Sequence, residues 1–348
     1  GGSGGLASAQ RAAEYGARVA LFEPARLGGT CVNVGCVPKK VMWNAAELAA
    51  ALQHAPHYGF DVTVGGHDWA KLKAGRDAYV ARLNGIYQRN LDKKSITTLR
   101  SAARFTSRTE LVDAEGRAYG APHILIATGG MPGVPTLHGA ELGGTSDDFF
   151  EWPELPRRVV IAGSGYIAVE LACVLRSLGS EVVLVTRRAG LLRQFDALLG
   201  AKLLDAMRTS GIEVLTEFVP CAATRNANGI ALEAADGRTV TGCDRLLWAV
   251  GRVPNTAGLN LAGAGVAMIA SSPANVKWLL QQMERRTIGA DKLNQLRHVR
   301  FLKNEAGTEA LMAKHASSLR PKFDEVQSIF ERLLGGKGVA TWTTPDGG

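Results

Sequence analysis

Nowhere in this sequence do apolar residues run long enough to cross a bilayer: stretches such as Val159 to Ala162 stop far short of the roughly 18 to 20 residues a spanning helix needs. There is no run of five like charges, no basic stripe interleaved with aromatics and no DNA-binding motif, so nucleic acid is not expected as a partner despite the net charge of +8. Cysteine is sparse and odd in number, five in 348 residues, which speaks against a disulfide scaffold and for a reducing, cytoplasmic compartment. The chain opens Gly1-Gly2-Ser3-Gly4-Gly5, with neither a basic n-region nor an apolar h-region, so no secretion is expected. No second cysteine or histidine pair accompanies Cys31 and Cys36, and a zinc site is not expected there.

What is present has the balance of a soluble globular protein, with 46% hydrophobic and 21% charged residues, and the length suits two or three domains. One supersecondary cue occurs twice. Its first copy is the turn Gly2-Ser3-Gly4-Gly5, a helical stretch from Leu6 to Tyr15, a stop at Gly16, a strand from Arg18 to Phe22, and Glu23. The second is a strand from Arg158 to Ala162, the turn Gly163-Ser164-Gly165, a helix from Tyr166 to Leu178, a stop at Gly179, a strand from Glu181 to Thr186, and Arg187. Each reads as a βαβ unit of the dinucleotide-binding, Rossmann-like kind. Four prolines, Pro132, Pro135, Pro153 and Pro156, make residues 131–158 read as a linker. From Asn275 onward, Leu311, His315, Leu319, Phe323, Val326, Ile329 and Leu333 recur at helical spacing up to Gly335, with Pro321 expected to kink the helix. The expected fold class is therefore α/β, two Rossmann-like domains followed by a mostly helical C-terminal segment.

A glycine turn opening a helix sets unpaired N–H groups and the positive end of the helix dipole against a pyrophosphate. Glu23 strengthens the first copy, because a carboxylate at that strand end can accept hydrogen bonds from ribose hydroxyls. The strand and first glycine expected ahead of Gly2 are not in this sequence. The second copy has Ala168 where a third glycine usually stands, and its strand runs into Arg187 and Arg188, with Arg193 shortly beyond. Those guanidinium forks suit a 2′-phosphate and favour NADPH over NADH.

The sharpest feature is Cys31-Val-Asn-Val-Gly-Cys36. On a regular helix two residues five apart lie roughly 8 to 9 Å apart at Cα, beyond the roughly 4.4 to 6.8 Å a disulfide spans. A disulfide there needs a bend, which Gly35 allows. Pro38 suits the first turn of a following helix, so Cys36 falls near a helix N-terminus, where a thiolate is stabilised, and Lys39 and Lys40 add positive charge. Cys173, Cys221 and Cys243 are isolated and read as core or neutral surface positions.

The segment from Leu27 to Lys40, Gly28-Gly29-Thr30-Cys31 through Cys36-Val-Pro38-Lys39, resembles the redox-active site of the flavoprotein disulfide reductases, and within them the glutathione reductase group. Supporting segments are Gly2 to Ala9, Ile126 to Pro132, Ser146 to Phe150, Gly163 to Glu170 and Gly251 to Asn255, so the likeness covers about residues 1–261. It implies a relay in which NADPH reduces FAD, FAD reduces a Cys31–Cys36 disulfide, and the dithiol reduces oxidised glutathione. Cys31 would attack the substrate and Cys36 would face the flavin. Lys39 and Glu170 correspond to an ion pair beside the flavin, and Tyr166 to a ring that gates the nicotinamide pocket. The likeness places Gly2, Ser3, Gly4, Gly5, Glu23, Gly29, Thr30, Ala103, Thr128 and Gly129 around FAD, and Gly251 and Arg252 among the cofactor-binding residues. It places Gly163, Gly165, Ile167, Ala168, Arg187, Arg188 and Arg193 around NADPH. Ser3 and Tyr87 are the implied glutathione contacts, and Gln10 stands where the family carries an arginine.

The implied domains are 1–130 for FAD, 131–261 for NADPH and 262–348 as a separate segment. In the family a Gly-Asp, a His-Pro, a Glu and a homodimer interface domain follow; none is found in residues 262–348, so the likeness implies impaired release of glutathione. That tail, through Ser271-Ser-Pro-Ala-Asn-Val-Lys-Trp278, Gln295 to Phe301 and Thr341 to Gly348, instead resembles a class I/II pyridoxal-phosphate aminotransferase without its Schiff-base lysine. A chimera joined near residue 262 is the expected reading. Alternatives are another CxxxxC flavoprotein, of the trypanothione or mercuric reductase type, and a non-catalytic nucleotide-binding remnant.

Overall fold

The computed structural model describes residues 1–262 together with Ser317 and Ser328. The chain divides into two compact units, Gly1–Ala267 and Met268–Gly348, and the first is described here. The helical pattern expected from Asn275 onward lies outside the described residues.

Helix α1 (Ser3–Glu14) starts earlier than the sequence suggests. The Gly2 carbonyl already accepts from the Leu6 N–H at 2.8 Å, which draws the glycines into the first turn. Strand β1 (Ala20–Phe22) follows and leads to α2 (Gly29–Asn33) and α3 (Cys36–His54). Helix α4 (Trp69–Lys93) is capped by Asp68, whose carboxylate accepts from the Lys71 N–H, and it returns the chain to β2 (Thr97–Leu99), parallel to β1. Leu6, Ala9, Leu21, Leu27, Leu91 and Ile96 form the small core beneath this pair. Three antiparallel strands come next: β3 (Ala103–Ser107), β4 (Glu110–Asp113) and β5 (Ala118–Gly120).

Residues 131–158 are more than a linker. They contain most of β6 (Gly130–Pro132), then β7 (Gly144–Thr145) and α5 (Ser146–Phe149). Thr145 and Asp148 close a capping box on α5, and Phe149, Phe150 and Trp152 are buried, with the Trp69 indole donating to the Trp152 carbonyl at 3.0 Å. Burial of those three rings outweighs the proline cue.

The second glycine-turn copy matches expectation closely: β8 (Arg158–Ala162), α6 (Tyr166–Ser177) and β9 (Glu181–Val185). Helix α7 (Ala197–Thr209), β10 (Glu213–Leu215), β11 (Pro220–Asn226), β12 (Gly229–Ala234), β13 (Thr239–Cys243), β14 (Arg245–Trp248) and β15 (Arg252–Pro254) complete the unit. A parallel sheet runs β10-β9-β8-β14-β7, and β15 pairs antiparallel with β6. Strands β8 and β9 are almost continuous apolar runs because both faces of the sheet are covered. Val159, Ile161, Val182 and Leu184 pack with α6, while Val160, Ala162, Val183 and Val185 pack with the antiparallel β11-β12-β13 sheet. At about 1.5 to 3 kcal/mol for each fully buried side chain of this size, the alternation fixes the register of the sheet.

Candidate active site

The cysteine pair sits where two helices meet at a glycine. Helix α2 carries Thr30 and Cys31 and ends at Asn33. A side chain at Gly35 would put its Cβ 2.8 Å from the Thr30 carbonyl oxygen, so the chain can fold back only without one. Helix α3 then begins at Cys36, with Pro38 buried in its first turn, no acidic residue there and no side-chain cap. Cys36 is exposed and Cys31 half-buried. Burial, a hydrogen bond with Cys36 and the negative charge of Cys36 together push the Cys31 thiol up to about 11. Among the described residues no group of three or more His, Cys, Asp or Glu is placed to hold a metal ion.

One turn into α3, Lys39 Nζ lies 2.7 Å from Glu170 Oε1 on α6, joining the redox loop to the second glycine-turn unit. Tyr166 stands exposed in the first turn of that helix. Gly163 has φ +155°, and a Cβ there would meet the Ala249 carbonyl oxygen at 2.3 Å; Ala168 is fully buried just beyond the turn. The Thr186 hydroxyl donates to the Arg188 carbonyl at 2.5 Å, and the Leu192 N–H donates to the Ser164 carbonyl at 2.8 Å, so the arginine loop is tied to the glycine turn. Among the described residues the guanidinium groups of Arg187, Arg188 and Arg193 engage no protein partner, which leaves their forks open to an anion.

The first glycine turn adjoins the redox loop directly. Gly2 bridges to Gly28, and the Gly28 N–H donates to the Gly1 carbonyl at 2.7 Å. Arg252 reaches the same place from β15, its Nη2 lying 2.5 Å from the Gly130 carbonyl and 3.2 Å from Thr30 Oγ1. Glu23 accepts from the Ala25 N–H at 2.8 Å. Neither α1 nor α6 has a side-chain cap or an acidic residue in its first turn, so the orphan N–H groups of both are open to a phosphate. The residues present therefore fit two dinucleotides.

Other expected residues stand apart from this cluster. Ala103 is half-buried in β3, Thr128 and Gly129 are exposed just before β6, and Gly251 accepts from the Gly133 N–H. Tyr87 is half-buried on α4 and packs against the core that includes Leu6 and Leu27. Asn33, Asn84 and Asp147 were not expected to take part. Asp147 Oδ1 lies 3.5 Å from Arg252 Nη1, and the two asparagines bond to each other and to the turn ahead of α2. Position offered one clue, since Asn33 falls between the cysteines.

The cysteine pair thus lies on a turn beside two glycine-turn helix N-termini, those of α1 and α6. The chain belongs to the pyridine nucleotide-disulphide oxidoreductase family, whose model matches residues 1–276. It is 46% identical over 276 residues to a glutathione reductase of Schizosaccharomyces pombe, covering 76% of this chain and 59% of that protein. A glutathione reductase of Yarrowia lipolytica is 43% identical over 282 residues, covering 76% of this chain and 60% of that protein. The chain thus spans about three fifths of the length of these relatives. Among solved structures it is similar to the HOCl-induced flavoprotein disulfide reductase RclA from Escherichia coli, with a TM-score of 0.68 and 26% identity over 76% of this chain and 58% of that one. An aspartate amino-transferase model matches residues 251–348, so the two family matches overlap across the expected join near residue 262.

Proposed function

We propose that the chain is an NADPH-dependent flavoprotein that reduces oxidised glutathione through Cys31 and Cys36. In this reading residues 1–130 hold FAD, with Gly2 to Gly5 and Glu23 at its phosphates and ribose and with Gly29, Thr30, Ala103, Thr128 and Gly129 lining the remainder, while Gly251 and Arg252 join the cofactor-binding set from the second segment. Residues 131–261 hold NADPH, with Gly163, Gly165, Ile167 and Ala168 at the turn and Arg187, Arg188 and Arg193 on the 2′-phosphate. Bound FAD supplies two-electron transfer from the nicotinamide to the Cys31–Cys36 disulfide. Lys39, held by Glu170, keeps a positive charge beside the pair, and Tyr166 covers the nicotinamide pocket. Residues 262–348, without the Schiff-base lysine, carry no aminotransferase chemistry in this reading.

Cys31, deprotonated, attacks one sulfur of glutathione disulfide. One glutathione thiolate leaves and takes up a proton, and a mixed disulfide forms at Cys31. Cys36 then attacks the Cys31 sulfur, expels the second glutathione and closes the Cys31–Cys36 disulfide, which the two electrons of NADPH reopen. Tyr87 and Ser3 are the glutathione contacts of this reading. A cytoplasmic, reducing compartment belongs to it, and the family's homodimer is not carried over, because its interface domain is not found in residues 262–348; among the described residues no helix is long and apolar enough to cross a membrane.

The observation that carries the reading is the redox loop itself, bent at Gly35, abutting the Gly2 turn and tied to α6 by Lys39–Glu170. The test is NADPH consumption at 340 nm by FAD-supplemented protein. The expected result is consumption that needs oxidised glutathione and disappears in Cys31→Ser. Glutathione-independent consumption that survives Cys31→Ser would overturn it.

A further inference from the structure

Two amide side chains fix the loop that carries Cys31. Asn33 Nδ2 donates to the carbonyls of Arg26 at 3.2 Å, Leu27 at 3.2 Å and Gly29 at 3.0 Å. Its Oδ1 accepts from Asn84 Nδ2 at 2.9 Å, and the same Asn84 nitrogen donates to the Leu27 carbonyl at 2.7 Å. The orientation of Asn33 is forced, because a flipped amide would turn an oxygen toward three carbonyl oxygens. Both asparagines are half-buried, and the Leu27 side chain between them is 1% exposed. Asn33 lies inside the cysteine loop, whereas Asn84 lies on α4, one turn before Tyr87.

We infer that Asn33 and Asn84 are positioning residues that act as one clamp and set the redox equilibrium of the Cys31–Cys36 pair. This rests on the reading of those cysteines as a redox couple. A disulfide tolerates a narrow range of Cα separation, and the loop between the cysteines holds only four residues, one of them a glycine. Val32 and Asn33 belong to α2 and the bend comes at Gly35, so the separation of the sulfurs depends on how α2 and its preceding turn are held. The clamp holds that turn from outside, against the long helix α4. Holding two thiols in near-attack geometry raises their effective concentration, and that favours the disulfide. The same bonds tie the nucleophile to the helix that presents Tyr87, so the clamp also sets how Cys31 meets a substrate held by α4.

The full chain can be equilibrated with reduced and oxidised dithiothreitol and quenched with a thiol reagent. The Cys31–Cys36 dithiol loses two hydrogens as oxidised dithiothreitol gains them, so the ratio of the two protein forms at a known ratio of reduced to oxidised dithiothreitol gives the equilibrium constant. Asn33→Ala and Asn84→Ala should each shift it about tenfold toward the dithiol, equivalent to about 30 mV. The double variant should lie within about twofold of either single variant, because a clamp already open cannot open again. Ile230→Ala, in the buried face of β12, lowers thermal stability without touching the clamp and should leave the constant unchanged. Should the alanine variants fail to fold, the isosteric Asn84→Asp, which turns an acceptor toward the Leu27 carbonyl, should show at least the same tenfold shift.

A constant within twofold of the parent in the folded variants, or a double variant shifted by the product of the single shifts, about a hundredfold, would overturn the clamp. A parent chain in which the two cysteines form no disulfide would overturn the redox reading itself. The measurement uses neither NADPH nor flavin nor glutathione, so a failure of the proposed turnover leaves it standing.

Discussion

The same glycine-turn motif is set in two different surroundings. In the second copy, β8 and β9 lie inside a five-stranded parallel sheet covered on both faces, and the side chains of Val159, Val160 and Ile161 are all fully buried. In the first copy, whose strand ahead of Gly2 is not in this sequence, β1 pairs among the described residues with β2 alone, over a core of six buried residues. The cysteine loop beside the first copy is held by side-chain bonds, Asn33 to Asn84, Arg252 to Thr30 and Lys39 to Glu170, whereas the arginine loop of the second copy is tied to its glycine turn by a backbone bond, Leu192 N–H to the Ser164 carbonyl.

Stability should show this contrast most strongly. Ile161→Ala removes a fully buried side chain from the rigid sheet and is expected to cost about 2 to 5 kcal/mol in denaturant unfolding. Leu21→Ala, at the 9% exposed edge of the six-residue core, should cost less than Ile161→Ala. Amide exchange should agree, with β8 and β9 exchanging far more slowly than β1 and β2. Equal costs and equal protection would remove the distinction.

Reactivity should separate the regions next. Only the thiolate is nucleophilic, and the Cys31 thiol is pushed up to about 11 by burial and by the hydrogen bond and charge of Cys36. Alkylation of Cys31 in the reduced protein should therefore rise about tenfold per pH unit between pH 7 and pH 10, followed by mass spectrometry of the peptide. A rate that levels off near pH 8.5 would show that the loop does not protect the proton.

A smaller effect is expected in the second copy. Arg187→Glu replaces an unpartnered guanidinium with a carboxylate that repels a 2′-phosphate. The parent should bind NADPH at least about tenfold more tightly than NADH, a difference of about 1.4 kcal/mol, and the variant should reverse that order. Equal affinities in the parent, measured by calorimetry, would remove Arg187 from the site.

Much of this was legible in the sequence. Strand β8 and the starts of α6 and β9 fell where the apolar runs and glycines placed them, because a buried parallel strand has few other ways to be written. Gly35 and Pro38 located the bend and the start of α3. Local signals failed where long-range burial decided the outcome: the prolines of residues 131–158 hid an edge strand and three buried aromatic rings. The asparagine clamp was illegible for a related reason. Its partners lie 51 residues apart, and the amide of Asn33 acts on backbone carbonyls, which any sequence supplies.

If the second glycine turn, the first glycine turn and the cysteine loop form one electron path, NADPH must open the Cys31–Cys36 disulfide. An anaerobic thiol count measures this: oxidised, FAD-supplemented protein is mixed with NADPH, and reactive thiols are counted before and after. Two additional thiols are expected, assigned to Cys31 and Cys36 by peptide mass, with no gain in Cys31→Ser. No gain in the parent chain, or a gain at Cys173, Cys221 or Cys243 instead, would contradict such a path.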